Sequence, residues 1–117
     1  MRVAGFGFRT SATLASLQSA LTLAGGPVDA VATVDSKAAG LADLARHLGV
    51  PVIAVNRAAL AANDRPGTAR VRALYGTGSV AESAALAAAG AGARLVAARI
   101  TSPDGRAVAA IAEGQGV

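Results

Sequence analysis

Strand and helix signals alternate three times along this chain, and the alternation ends in a hairpin. The composition supplies the second observation: hydrophobic residues make up 53% but aromatic residues only 3%, so the core must be thin, closely packed layers of Ala, Val, Leu and Ile. Together these predict an α/β fold, a three-layer α/β/α sandwich with a mixed, mostly parallel sheet of about five strands and a C-terminal antiparallel hairpin. A length of 117 residues suits one domain spanning 1–117.

Taken in order, Arg2 to Phe8 reads as the first strand. Its glycines weaken a strand, so they point to close approach by a helix or a ligand. Thr10 or Ser11 then caps a helix reaching Leu23, with Leu14, Leu17 and Leu21 on one face, and Gly25-Gly26-Pro27 stops it. Val28 to Val34 is the second strand. Asp35-Ser36-Lys37 stands at its C-terminal end, the edge at which open α/β sheets bind ligands. A helix from Lys37 to Leu48 buries Leu41, Leu44, Ala45 and Leu48 and ends at Gly49. Val52 to Val55 is the third strand, followed by a helical turn over Ala58 to Ala62 and a loop over Asn63 to Thr68. Ala69 to Tyr75 fits either a short strand or a helix. Arg94 to Thr101 and Arg106 to Ala112 are strands joined by the turn Ser102-Pro103-Asp104-Gly105.

Between them lies Gly76-Thr77-Gly78-Ser79-Val80-Ala81-Glu82. Ser79 is placed to cap the helix through Ala89, with Glu82 three residues on where a capping box wants it. The small residues of this helix let its backbone pack close to what lies beneath. The glycines ahead of it let backbone N–H groups approach an anion. An ordinary capped helix after a tight turn is the plainer reading of the same residues.

Several function classes are disfavoured. With no cysteine and one histidine, His47, neither a thiolate centre nor a zinc site is expected, and no cofactor is. The net charge of +4 is spread along the chain without interleaved aromatics, which argues against nucleic acid and suits a polyanionic small molecule. No apolar run long enough to span a membrane and no signal peptide is read, so a cytoplasmic protein is expected. Gly5-Phe6-Gly7-Phe8-Arg9-Thr10 lacks the third glycine of a dinucleotide fingerprint, which leaves NAD binding weakly supported.

Three stretches in this order resemble a known family: Val3-Ala4-Gly5-Phe6-Gly7-Phe8-Arg9; Thr33-Val34-Asp35-Ser36-Lys37 with Gly40-Leu41 and Leu44-Ala45; and Gly76 to Leu86, followed by Ala109 to Ala112. They are similar to the CobE family of cobalamin biosynthesis and to the C-terminal domain of CbiG, the cobalt-precorrin-5A hydrolase. The resemblance spans nearly the whole chain. It implies an α/β/α domain with a mixed sheet and a role in building the corrin ring. The full-length relative opens a lactone and releases acetaldehyde, an activity that likeness to its C-terminal piece does not carry over. The chain departs from the family at Phe8, where cysteine is frequent, at Ala39, where an acid is, and at Arg99, where lysine is common.

A corrin precursor is a polyanion around a flat apolar ring, so its receptor needs donors above an apolar floor. Arg9, Thr10, Ser11, Asp35, Lys37 and the donors of Gly76, Thr77, Gly78 and Ser79 would form such a rim if all three turns share one sheet edge. Each has a plainer role: Arg9 as a solvated charge, Asp35 as a cap or a partner of Lys37, Glu82 as a capping carboxylate, and Arg57, Arg65, Arg70 and Arg72 as surface charges. Tyr75 either places a hydroxyl by the glycine turn or simply packs. The expected function is binding of a precorrin-type polycarboxylate tetrapyrrole, as a carrier or helper in ring modification. Two alternatives stay open: a hydrolase or lyase using Asp35, Lys37 and Glu82 as acid/base groups, and a docking module for other cobalamin-pathway enzymes.

Overall fold

A computed structural model describes residues 1–116. Its elements are β1 (Arg2–Phe8), α1 (Leu14–Ala24), β2 (Ala30–Val34), a 3₁₀ segment (Asp35–Leu41), α2 (Ala42–Leu48), β3 (Val52–Val55), α3 (Arg57–Ala62), α4 (Ala69–Tyr75), α5 (Val80–Ala89), β4 (Arg94–Thr101) and β5 (Ala107–Glu113). The strands form one sheet in the order β3-β2-β1-β5-β4. β1 pairs in parallel with β2, and β2 with β3, while β5 runs antiparallel to both β1 and β4. The C-terminal ends of β1, β2, β3 and β4 therefore share one edge with the start of β5.

Helices cover both faces, giving the three layers. α1, the 3₁₀ segment and α2 pack Leu17, Leu21, Leu41 and Leu44 against Phe6, Val31 and Ile111. On the other face α5 and α3 pack Val80, Ala84, Ala88 and Leu60 against Val3, Ala32, Val34 and Val55. α5 lies directly on the sheet centre, and its alanines are explained by Gly5. A Cβ built on Gly5 would stand 2.0 Å from the Ala81 carbonyl oxygen and 2.6 Å from the Ala85 nitrogen. Strand and helix backbones meet there with no side chain between them.

Two local expectations are corrected and one open reading is resolved. Thr13, rather than Thr10 or Ser11, caps α1. Thr13 and Ser16 form a reciprocal box, each side chain accepting from the other's backbone N–H. The helix expected from Lys37 begins as 3₁₀ at Asp35 and becomes α-helical only at Ala42, with Gly40 pressed against the Phe8 ring. Ala69 to Tyr75 is helical, capped by Thr68 and ended by Gly76 in the left-handed region. The edge strand β4 carries two register shifts, at Leu95/Ala97 and Ala97/Ile100, which disrupt the flat edge that would invite further pairing.

Candidate functional site

β1 ends at Phe8, and the turn that follows is pinned when the Arg9 N–H donates to the Arg106 carbonyl across the mouth of the β4–β5 hairpin (2.9 Å). Arg9, Thr10 and Ser11 are exposed in this turn. Arg106 reaches over it to the Ser11 carbonyl (3.5 Å). One strand over, Lys37 is half-buried. Its ammonium donates to the Phe8 carbonyl and sits 4.6 Å from the Phe8 ring centroid. Burial lowers its pKa from the ordinary lysine value.

The glycine turn behaves differently from the expectation. Thr77 is fully buried. Its hydroxyl donates to Asp64 (2.9 Å), so its 2.7 Å contact with Ser83 must have Ser83 as donor, because a hydroxyl carries one proton. The Gly78 N–H also goes to Asp64 (3.0 Å), and the Gly76 N–H goes to the Arg72 carbonyl within its own helix (2.9 Å). Arg72 completes the arrangement at 2.6 Å from the other Asp64 oxygen. The Arg72 guanidinium, then the Gly78 N–H and the Thr77 hydroxyl, hold the Asp64 carboxyl at about 2. The anion the turn attracts is thus supplied by the protein. Gly76 and Thr77 take no part in the cavity described below, while Gly78 and Ser79 line it.

Ser79 caps α5 as expected, accepting from the Glu82 N–H (3.3 Å). Glu82 does not complete the box. Its buried carboxylate accepts from the Arg99 N–H (3.0 Å) and from the Arg99 guanidinium (3.3 Å), because β4 brings Arg99 alongside. Arg99 also donates to the Pro66 carbonyl.

At the shared edge opens a cavity of about 850 Å³. Five cations line it, Arg9, Lys37, Arg70, Arg99 and Arg106, and among the described residues no carboxylate does. Its apolar walls come from Phe8, Val34, Val71, Leu74, Tyr75, Val80 and Val108. Of the rim expected from the sequence, Arg9, Thr10, Ser11, Lys37, Gly78 and Ser79 come together here. Asp35 is exposed, off the cavity and without an ion pair among the described residues, and Glu82 lies beneath its wall. Of the three acid/base candidates only Lys37 faces the cavity. Arg70, Arg99 and Arg106 are cavity residues that sequence reasoning did not place at the rim.

Charge is unevenly distributed. Away from the cavity, Arg2 and Arg94 pair with Glu113, and Arg46 pairs with Asp43. Arg9, Lys37, Arg70 and Arg106 at the cavity, and Arg57 and Arg65 nearby in the chain, form no ion pair among the described residues. Among those residues no group of three or more His, Asp or Glu side chains is placed to hold a metal ion, and no helix is long and apolar enough to cross a membrane.

The family model described as Cobalamin synthesis G C-terminus matches residues 2–112. The chain is similar to the solved structure of CobE, a protein from the cobalamin (vitamin B12) biosynthetic pathway, with 31% identity and a TM-score of 0.81 over 96% of this chain and 92% of that one. It is also similar to the cobalamin biosynthesis protein chiG from Agrobacterium tumefaciens str. C58, with 34% identity and a TM-score of 0.70 over 97% of this chain and 98% of that one. Among curated protein sequences no significant match is found.

Proposed function

Because the chain belongs to the Cobalamin synthesis G C-terminus family, we propose that it serves cobalamin biosynthesis by holding a corrin precursor in the cavity at the sheet edge, as a carrier or as a helper in ring modification. The observation that carries this reading is the lining of five cations without a carboxylate, set around apolar walls. A corrin precursor presents several acetate and propionate groups around a flat apolar ring. Guanidinium forks at Arg9, Arg70 and Arg106 suit carboxylates, which they bind bidentately, and the walls from Phe8, Leu74 and Val108 suit the ring. The volume lies within the range of small-molecule sites.

A second reading, chemistry on the bound precursor, is favoured by Lys37. It is the chain's one lysine, it faces the cavity, and burial weakens its hold on its proton. It is the residue to which a general acid/base role falls.

The test is a titration of the protein with precorrin-type tetrapyrroles, followed by visible absorbance. Saturable binding is expected, weakened about tenfold by Arg9→Ala or Lys37→Ala through loss of one charge-assisted contact. Turnover of a bound intermediate, lost in Lys37→Ala while binding persists, would establish the second reading. No binding of any such intermediate would overturn both.

A further inference from the structure

Residues 64–78 leave the end of α3, form α4 and return to where they left, as compact surface loops do. The base of this loop is clamped. Asp64 joins its start to Thr77 and Gly78, and a Cβ on Gly67 would stand 1.6 Å from the Gly78 carbonyl oxygen. The body is lightly held. α4 has no fully buried residue; it rests on α3 and touches the core only through the partly buried Val71 and Tyr75. Leu74 is 52% exposed, and the Arg99 bond to the Pro66 carbonyl straps the segment to β4. Yet this segment supplies a whole wall of the cavity, including Thr68, Arg70, Val71, Leu74 and Tyr75. Arg70 lines that wall with no acidic partner among the described residues.

We infer that residues 64–78 are a lid that closes over a bound polyanion, and that Arg70 is the ligand-reading charge on it. The clamped base preserves the lid's register, so its body tilts rather than unravels. Closing would cover the apolar faces of Leu74 and Tyr75 with the ligand's ring and bring Arg70 onto a carboxylate that the fixed cations Arg9, Lys37 and Arg106 do not take. Arg99, tied at once to Glu82 of α5 and to Pro66 of the lid, is a positioning residue that sets how far the lid stands open. The ligand in this inference is the one proposed above; the mobility of the lid is independent of it.

Hydrogen exchange on the full chain, followed by mass spectrometry, tests both parts, with binding of a precorrin-type tetrapyrrole read separately by absorbance. In the free protein, α4 amides are expected to exchange at least about 100-fold faster than α5 amides, because they open locally. Saturating tetrapyrrole should slow α4 exchange about tenfold or more, and Arg70→Ala should weaken binding about tenfold. Arg94→Ala, which removes an equal charge far from the cavity, should weaken it less than about threefold. Exchange in α4 as slow as in α5 in the free protein overturns the lid, whatever binds. Binding by absorbance with α4 exchange unchanged overturns the lid and leaves the proposed function standing. No binding overturns the proposed function and, with it, the lid's ligand. Equal losses in Arg70→Ala and Arg94→Ala overturn the role given to Arg70.

Discussion

Gly5 and Gly7 stand two residues apart on the same face of β1, and one methyl group should affect them in opposite directions. At Gly5 the new Cβ would lie 2.0 Å from the Ala81 carbonyl oxygen, whereas tolerable contacts begin near 3.0 Å, so α5 must retreat by about 1 Å. The obstacle is helix backbone, so no side-chain rotation relieves it. A retreat of that size forfeits a quarter to a half of each dispersion contact along the interface. Overpacking ordinarily costs about 1–3 kcal/mol. With backbone on both sides we expect Gly5→Ala to cost about 3 kcal/mol or more, a large part of the roughly 5–15 kcal/mol that stabilises a domain. For a chain of this size that is a fall in Tm of roughly 10–20 °C. At Gly7 the nearest atoms to the new Cβ are 3.8 Å away, an ordinary contact. Gly7→Ala should therefore be neutral or stabilise by up to about 1 kcal/mol, through reduced freedom of the unfolded chain. Urea denaturation of the two variants beside the wild type checks this. Equal stabilities for the two variants, or a Gly5→Ala protein as stable as wild type, would refute the argument that α5 and β1 touch backbone to backbone.

Three further outcomes follow from the site. Asp64 and Asp104 are both held at about 2, below the ordinary 3.8: Asp64 first by Arg72, and Asp104 first by Ser102, then by Ser16 and the Arg106 N–H. A depressed carboxylate contributes stability above its unfolded value and loses it as pH falls towards its folded value. Wild-type Tm should therefore drop between about pH 4 and pH 2, and a D64N/D104N double variant should show a flatter curve in that window; identical slopes would contradict this. Arg99→Ala should destabilise more than Glu82→Gln in urea, by about 2–3 against about 1 kcal/mol. It leaves a carboxylate 7% exposed beside a single N–H, whereas the reverse change leaves a guanidinium 45% exposed to water; a reversed order would count against the pairing. Reductive methylation with a ¹³C label should give one lysine resonance, from Lys37, titrating below the ordinary 10.5 in the free protein, and a titration at or above that value would remove the case for its burial.

The layers and the mixed sheet were legible because they follow from periodicity and turn chemistry, which are local. The Ser102 to Gly105 turn and the glycine-bearing first strand are examples. Glu82 shows where local reading stops. Its spacing from Ser79 fits a capping box, but its carboxylate goes to Arg99, 17 residues on, which only the sheet order brings near. Asp64 sits in what the sequence presents as plain loop, and nothing within that loop indicates that it occupies the glycine turn 14 residues later. The cavity's cations extend from Arg9 to Arg106. They converge because β1 and β4 run in the same direction and the hairpin returns to the same edge, a fact of topology that no short window of sequence contains.

Pairing the cations at one end while leaving Arg9, Lys37, Arg70 and Arg106 unpaired among the described residues at the other makes the molecule an electrical dipole with the cavity at its positive pole. Such a field draws an anion towards the mouth and turns it before contact, raising capture rates by about 10- to 1,000-fold at low salt and fading beyond about 8 Å at physiological ionic strength. The same field opposes departure. A polyanion held here as proposed would leave slowly into water, and more readily towards an acceptor whose own positive field takes over part of its charge. Delivery would then be a contest between two basic mouths held face to face.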